Sequence, residues 1–437
     1  MSLKDKLVTS FLAFENQTDI DSPIHEIRVE AIKEFEEKGF PSKKEESWKY
    51  TSLNSVTKED YSVFPKKEYA LEYKDVKPYL IHDIESYKII FIDGKYSSHL
   101  SETTHDKIDV CILSSALAKA KYNDRVMSYF NKITNKDSLT SLNTAFSSEG
   151  AFIHIPKGTV VEKPIQIINF VTGHESALML QPRNLIIVDD NAQLQVIERH
   201  QSLTDNAVLT NVVSEVFAGN NAVIDWYKIQ NDKQNASLID HTFIDQKRDS
   251  NCSVHTFTFG GKLVRNNLNF FQNGTHVEST LKGVTIIGEK QHVDHNTLVH
   301  HIEPNCESHQ DYKGIFNDRS TGVFNGKVVV EKEAQKTNAF QANNNILISD
   351  KATVNTKPQL EIFADDVKCS HGCTIGQLDE NALFYMQSRG IPVKEAKALL
   401  MYAFANNVLE SVRIPEIKQR VKSLIANKLG VNIGFDL

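Results

Sequence analysis

From about Ala151 to Asp379 the chain loses any helical period and breaks into short β-rich runs. Phe152–Ile155, Ile165–Val171, Leu185–Val188, Leu194–Ile197, Val223–Tyr227, Val284–Ile287, Val328–Val330, Ile346–Ile348 and Leu360–Phe363 span only a few residues each, with Asn, Asp and Gly in the gaps. Many strands without helices between them can bury their apolar faces as a sandwich, a barrel or a β-helix. Two-residue hairpin signals are scarce for so many strands. Asn-rich corners, with Asn343, Asn344 and Asn345 directly ahead of one run, lean towards β-helix coils in which Asn stacks on Asn. The spacing is irregular: Val329 to Leu347 is 18 residues and Leu347 to Ile362 is 15, so there is no strict repeat.

Helical patterns flank this stretch. Pro23–Lys38 follows Asp21 and Ser22, which suit an N-cap, and places Ile24, Ile27, Ala31 and Phe35 on one face before Gly39 and Pro41. A second stretch over Ser114–Ile133 offers Leu117, Ala120, Met127 and Phe130 as inward residues. Between them, Tyr87–Asp93 reads as a buried strand ending in an Asp-Gly turn. After Asp379, Val393–Val412 carries the stripe Ala396, Leu399, Leu400, Ala403, Phe404 and Val408. Pro415 then opens a last helix with Ile417, Val421, Leu424, Ile425 and Leu429, stopped by Gly430. Such stripes either face the β-rich part and each other or dock a partner protein. The expected division is an N-terminal, mostly helical domain over 1–147, a β core over 148–378 and a C-terminal helical domain over 379–437.

Charge and hydropathy narrow the function classes. Lys plus Arg total 49 against 56 Asp plus Glu, a net charge of −7 without a basic stripe, which argues against nucleic acid as a partner. No apolar run is long enough to cross a bilayer, and Lys4, Asp5, Lys6 and Glu15 interrupt any export signal. A cytoplasmic location is therefore expected, where thiols stay reduced. The five cysteines are then packing residues or chemistry, not disulfides.

Phosphate loops, dinucleotide fingerprints, nucleophile elbows and HExxH motifs are all missing from the chain. Asp189-Asp190 and Asp365-Asp366 resemble glycosidase carboxylates. Adjacent side chains on a strand point to opposite faces, however, so turn positions suit them better. The densest ligand cluster is Cys369-Ser370-His371-Gly372-Cys373. If extended, it presents two thiols and an imidazole on one face, with α-carbons about 6.5–7 Å apart in succession. These are ligand types for iron or zinc, while buried Cys also serves as a small hydrophobe. Lys368 alongside would favour thiolate. Seven histidines lie between His255 and His309, at mixed odd and even positions that suit surface or hydrogen-bonded residues on β-turns. An all-thiolate cluster needs four Cys, and only Cys369 and Cys373 are neighbours. Cys111, Cys252 and Cys306 read as packing residues, and a site completed by a second chain is the natural expectation.

A family resemblance is carried by blocks running in order from Glu307 to Ile391. They are Glu307–Gly314, Phe324–Val328, Ala334–Thr337, Lys357–Ile362, Asp365–Gly372, Gly376–Asp379, Phe384-Tyr385 and Arg389–Ile391. With Glu46–Thr51, Ile155–Gly158 and Glu162–Pro164 ahead of them, they resemble the SufB/SufD family of iron–sulfur cluster assembly scaffolds. Gly372 after His371, where SufB chains usually carry Glu-Ala, is similar to the SufD branch. The resemblance implies a mainly β fold: a right-handed parallel β-helix core flanked by N-terminal and C-terminal helical domains. It implies a heterodimer with a SufB-type paralogue, and a SufC-type ABC ATPase docked on the C-terminal helices, which include Leu399, Leu400, Phe404, Val408, Val421 and Leu424. It further implies a scaffold role in place of catalysis, with no nucleotide bound by this chain. His371 would ligate a transient Fe–S cluster or iron at the interface, with Cys369 assisting. Cys373 stands where SufD chains usually have Ala, and is either a third ligand or a packed small residue. Two other readings remain open on the residues alone: a carbohydrate-active β-helix enzyme, or a β-helix interaction protein without a metal role. A homodimer of this chain by itself also stays open.

Overall fold

The computed structural model describes residues 2–16, 23–63, 69–81, 83–103, 107–135, 137–147, 149–173 and 176–430. The β-rich stretch is a parallel β-solenoid of about eight turns, with helices before and after it. Successive strands alternate between two facing sheets, so each pairs with the next but one. On one sheet Val223 pairs with Asn251, Asn251 with Glu278, Glu278 with Glu307, Glu307 with Asn338 and Asn338 with Lys368. The repeat is therefore 28, 27, 29, 31 and 30 residues, regular in space and blurred in sequence by turns of unequal length. Tyr87–Ile92 adds to the same sheet beside Ile165–Val171, and its Asp93-Gly94 turn, with φ of 51° and 79°, leads back into Lys95–Tyr96 as expected.

Most strands are longer than their apolar runs. Val284–Ile287, Val328–Val330 and Ile346-Leu347 are only the ends of ten-residue strands, Glu278–Ile287, Thr321–Val330 and Asn338–Leu347. Parallel pairing on both edges satisfies the backbone whatever the side chains are. Polar residues elsewhere in the strands are then tolerated because they bond across the lumen. Gln272 Nε2 donates to Ser279 Oγ at 2.8 Å, Thr297 Oγ1 donates to Gln310 Oε1 at 2.7 Å, and His301 Nε2 lies 2.9 Å from Ser308 Oγ. Ile224, Trp226, Val254, Leu281, Phe270 and Val299 fill the remaining lumen. Corners are made by Asn191, Asn221 and Asp249, all with φ between 55° and 60°, and Asn221 Nδ2 donates to Asn191 Oδ1 one coil away at 2.9 Å. Asn343 and Asn345 do not turn a corner: they are buried inside the solenoid.

The helices cover the outer faces of the two sheets. Leu7, Phe11, Phe35 and Leu142 pack with Met179, Leu209, Ile239 and Leu263 of one sheet. Arg265 is clamped there between the Trp48 ring, 3.7 Å from its guanidinium carbon, and the Asp294 carboxylate. On the other sheet Val408, Ile417, Val421 and Ile425 meet Tyr227, Ile229, Phe257 and Val284. Each such side chain taken from water contributes about 1.5–3 kcal/mol. The last helix, Pro415–Leu429, begins with Pro and ends at Gly430 in the left-handed conformation (φ 67°), as the sequence implies. Ser114–Ile133 is two helices, Leu113–Ala118 and Ala120–Tyr129, separated by an extended Lys119. That break turns Ala120 out to solvent and makes Val126 the buried residue. The N-cap expected at Asp21 and Ser22 lies outside the described residues. Among the described residues no helix is long and apolar enough to cross a membrane.

Buried histidines make this fold acid-sensitive. Burial pushes His241 and His295 down to about 4, and His255 and His301 down to about 3. They are neutral in the fold, whereas the unfolded chain takes up protons from pH 6.5 downward. Stability is thus fully present above 6.5 and is lost as pH falls towards the folded values, by up to about 1.4 kcal/mol per pH unit for each group. Glu149, raised to about 7 by burial, and Asp232 and Asp240, also raised by burial, act in the opposite sense, three groups against five once His292, likewise lowered by burial, is added to the four histidines. Scanning calorimetry should give a lower melting temperature at pH 5 than at pH 7, and equal values would contradict neutral buried imidazoles.

Candidate functional site

The solenoid ends in an uncovered coil. Thr353–Ile362 and Lys368–Gly376 are the terminal strands of the two sheets, each paired along one edge only. The cluster Cys369-Ser370-His371-Gly372-Cys373 is extended within Lys368–Gly376, as its alternation requires. Its register pairs Cys369 with Ala339, His371 with Gln341, Cys373 with Asn343 and Ile375 with Asn345. Those four partners are buried in the lumen, and in-register parallel strands keep paired residues on one face. Cys369, His371 and Cys373 therefore line the lumen side of the last coil, where the lumen opens to solvent.

The three side chains differ in setting. Cys369 is half-buried against Val328, Val330, Ala334 and Ala339. Burial pushes its thiol pKa up, partly offset by a hydrogen bond from the Ala339 backbone. Lys368, expected to favour thiolate, takes no part in this balance. His371 and Cys373 are exposed, and nothing lies within 4 Å of the space a Cβ on Gly372 would fill. Ligand atoms bound to one ion sit about 2.0–2.3 Å from it, a closer grouping than alternate positions on one straight strand provide. Among the described residues no three His, Cys, Asp or Glu side chains converge to hold a metal ion. Across the opening, the strand Thr353–Ile362 brings Val354, Thr356, Pro358 and Leu360 to the lumen side through its register with Gly322, Phe324, Gly326 and Val328.

The rim of the opening is apolar. Phe363 is 60% exposed, Ile375 47% and Ile362 39%. A long, unpaired edge strand bearing exposed apolar residues is a template for association, which proteins normally cover. A second exposed apolar group follows in the chain. The helix Glu380–Ser388, capped by Asp379 on the amides of Asn381 and Ala382, buries no residue and exposes Phe384 (71%) and Tyr385 (58%). The guanidinium of Arg389 lies 5.2 Å from the Tyr385 ring centre.

The other sequence candidates are dispersed. Val408, Val421 and Leu424 pack into the solenoid's outer face, so that part of the helical stripe is core and not a docking surface. Leu399, Leu400 and Phe404 are half-buried, and Lys313 Nζ donates to the Phe404 carbonyl at 3.1 Å. Cys252 and Cys306 are buried and Cys111 half-buried, all without disulfides. His292, His295, His300 and His301 share one strand, not turns. His295 faces Thr285 in the lumen, and His300 pairs with Glu331 outside. Asp189 bonds His154 Nε2 at 2.9 Å, and Asp190 accepts from the Asn220 amide at 2.8 Å, both in turns.

Sequence reading missed a buried ion cluster in the lumen. Lys228 Nζ lies 2.9 Å from Glu198 and 2.6 Å from Asp240, and donates to Thr242 Oγ1 at 2.8 Å. Burial works against the charge on Lys228, but the two carboxylates outweigh it and raise its pKa. Glu198 and Lys228 are one coil apart, a relation visible only once the 30-residue repeat is known.

Comparison with known proteins follows the same geography. Residues 170–404 match the family model for the SUF system FeS cluster assembly SufBD core domain, and residues 6–167 match the SufBD protein N-terminal region. An iron-sulfur cluster assembly SufBD family protein of Synechocystis is 30% identical over 395 residues, covering 88% of this chain and 87% of that protein. The iron-sulfur cluster assembly protein SufD of Escherichia coli is 29% identical, with 90% of each chain covered. SufD of Bacillus subtilis is 27% identical, covering 92% of this chain and 93% of its own.

Proposed function

The chain belongs to the SufBD family of the SUF iron–sulfur cluster assembly system, and from that premise we propose that it is one half of a scaffold completed by a SufB-type paralogue. The observation that carries this reading is the uncovered last coil, with Cys369, His371 and Cys373 on its lumen side and, among the described residues, no convergent group of three ligands to hold an ion alone. Two such coil ends placed together would cover both apolar rims, extend both sheets and bring a second set of ligands to face the first. Iron and sulfide are the cargo. His371 supplies a nitrogen to the nascent cluster, Cys369 assists, and Cys373 adds an accessible thiol on the same row. Similarity to proteins named SufD supports assigning this chain the SufD-type position in the pair.

Nucleotide chemistry in this reading comes from a SufC-type ABC ATPase. It docks on the C-terminal helices through the exposed Phe384, Tyr385 and Val393, with Leu399, Leu400 and Phe404 behind them. Movement of the ATPase pair then strains the coil-to-coil interface and opens the site. Anaerobic reconstitution with ferrous iron and sulfide tests the shared site. Visible cluster absorbance is expected with the SufB-type partner present and not with this chain alone. The same cluster, formed in equal yield by the isolated chain, would overturn the proposal.

A further inference from the structure

We infer that Gln341 is a positioning residue for His371: its carboxamide, not hydrogen-bonded to the imidazole in the free chain, turns to it when the site is loaded, so that one ring nitrogen stays directed at the opening. This rests on the reading of His371 as a cluster ligand. The register places the two residues side by side on adjacent parallel strands, with backbones about 4.8 Å apart, within reach of a Gln side chain. The same lumen row runs Trp226, Val254, Leu281, Gln310, Gln341 and His371. It is apolar in the middle of the solenoid and turns to carboxamides only towards the open end.

Gln341 is 3% exposed, and neither its Oε1 nor its Nε2 has a hydrogen-bond partner. Each neighbour has at least one partner: Gln310 accepts from Thr297 although its Nε2 is unpartnered, Asn343 donates to the Tyr312 carbonyl, and Asn345 donates to Asn343 Oδ1. Gly326 on the facing sheet makes room for the carboxamide, because a Cβ there would collide with Nε2. A buried amide with both atoms unanswered is costly to keep, and an apolar side chain of equal size would suit the row better. The group that can answer it is the imidazole next along. An amide oxygen accepting one ring N–H fixes the tautomer and leaves the other nitrogen as the ligand, the arrangement that metal-binding histidines use.

Gln341→Met preserves length and bulk and removes both polar atoms. The variant chain is expected to melt at or above the native temperature. In the complex with its partner and ATPase, loaded with ferrous iron and sulfide, its apparent iron affinity should fall about 10–100-fold. The nitrogen hyperfine coupling in pulsed EPR of the reduced cluster should shift, and Gln341→Glu, which retains an acceptor oxygen, should restore it. Native affinity and coupling in Gln341→Met would overturn the inference. So would a lowered melting temperature with native coupling, which would make Gln341 a packing residue. A native nitrogen coupling in His371→Ala would instead remove His371 as the ligand, a separate failure of the reading beneath.

Discussion

Replacing His371 with alanine should leave the fold intact and lower cluster formation in the assembled complex by at least about 100-fold, since loss of a ligand exceeds the 10–100-fold typical of outer-shell partners. The two halves of that expectation have separate physical grounds. His371 is exposed on an edge strand and has no packing role, so its removal should change stability by no more than about 0.5 kcal/mol. A ligand at a shared site is not readily replaced, because among the described residues no group of three or more His, Cys, Asp or Glu side chains could hold the ion instead. Iron and sulfide content, with visible absorbance, after anaerobic reconstitution checks the first half, and thermal melting the second. Unchanged loading would remove His371 from the mechanism. The same experiment on Cys373→Ala separates a third ligand from an exposed thiol, for which loading should stay native.

Lys228→Ala should destabilise the chain by about 3–5 kcal/mol, the cost of breaking a buried ion pair. Lys228 is fully enclosed between Glu198 and Asp240, and its loss leaves the two carboxylates with only one basic group beside them, the His200 imidazole, 3.2 Å from Glu198. Against a total of about 5–15 kcal/mol for a typical domain, that is a large fraction. Combining Lys228→Met with Glu198→Gln and Asp240→Asn removes all three charges and should recover much of the loss. Urea midpoints compare the variants. Equal destabilisation by the single and triple replacements would show that packing, and not unpaired charge, carries the effect.

How much of this was legible from residues alone depends on the range of the interaction. The last helix, from Pro415 to Gly430, and the strand ending at Asp93-Gly94 are set by neighbours in sequence, and both fold as read. The shared face of Cys369, His371 and Cys373 followed from alternation on the condition that the segment is extended, a condition the structure meets. The face presented by the helical stripes was not legible. Val408 and Val421 are apolar on an amphipathic helix whether they meet the solenoid or a partner, and only packing chose the solenoid. Histidines at mixed odd and even positions looked dispersed over turns. Parallel pairing instead put four of them on one strand, His295 and His301 inward, His292 and His300 outward. The short apolar runs understated the strands, because cross-lumen hydrogen bonds let polar residues stay in the sheet.

By itself the sequence determined a helix-flanked stack of strands, its corner chemistry of Asn and Asp, and a ligand row too small to be a complete site. These depend on local propensity, period-2 alternation and the count of ligand side chains, all carried by residues close together. Only the tertiary structure decided that Glu198 meets Lys228, that Gln341 lies beside His371, and that the ligand row faces the lumen at an uncovered end. Those relations join residues about one 30-residue coil apart, and they exist only after each strand has paired with the next but one. Alternation tells the two faces of a strand apart, but closure of the coil settles which face turns inward and which coil has nothing after it.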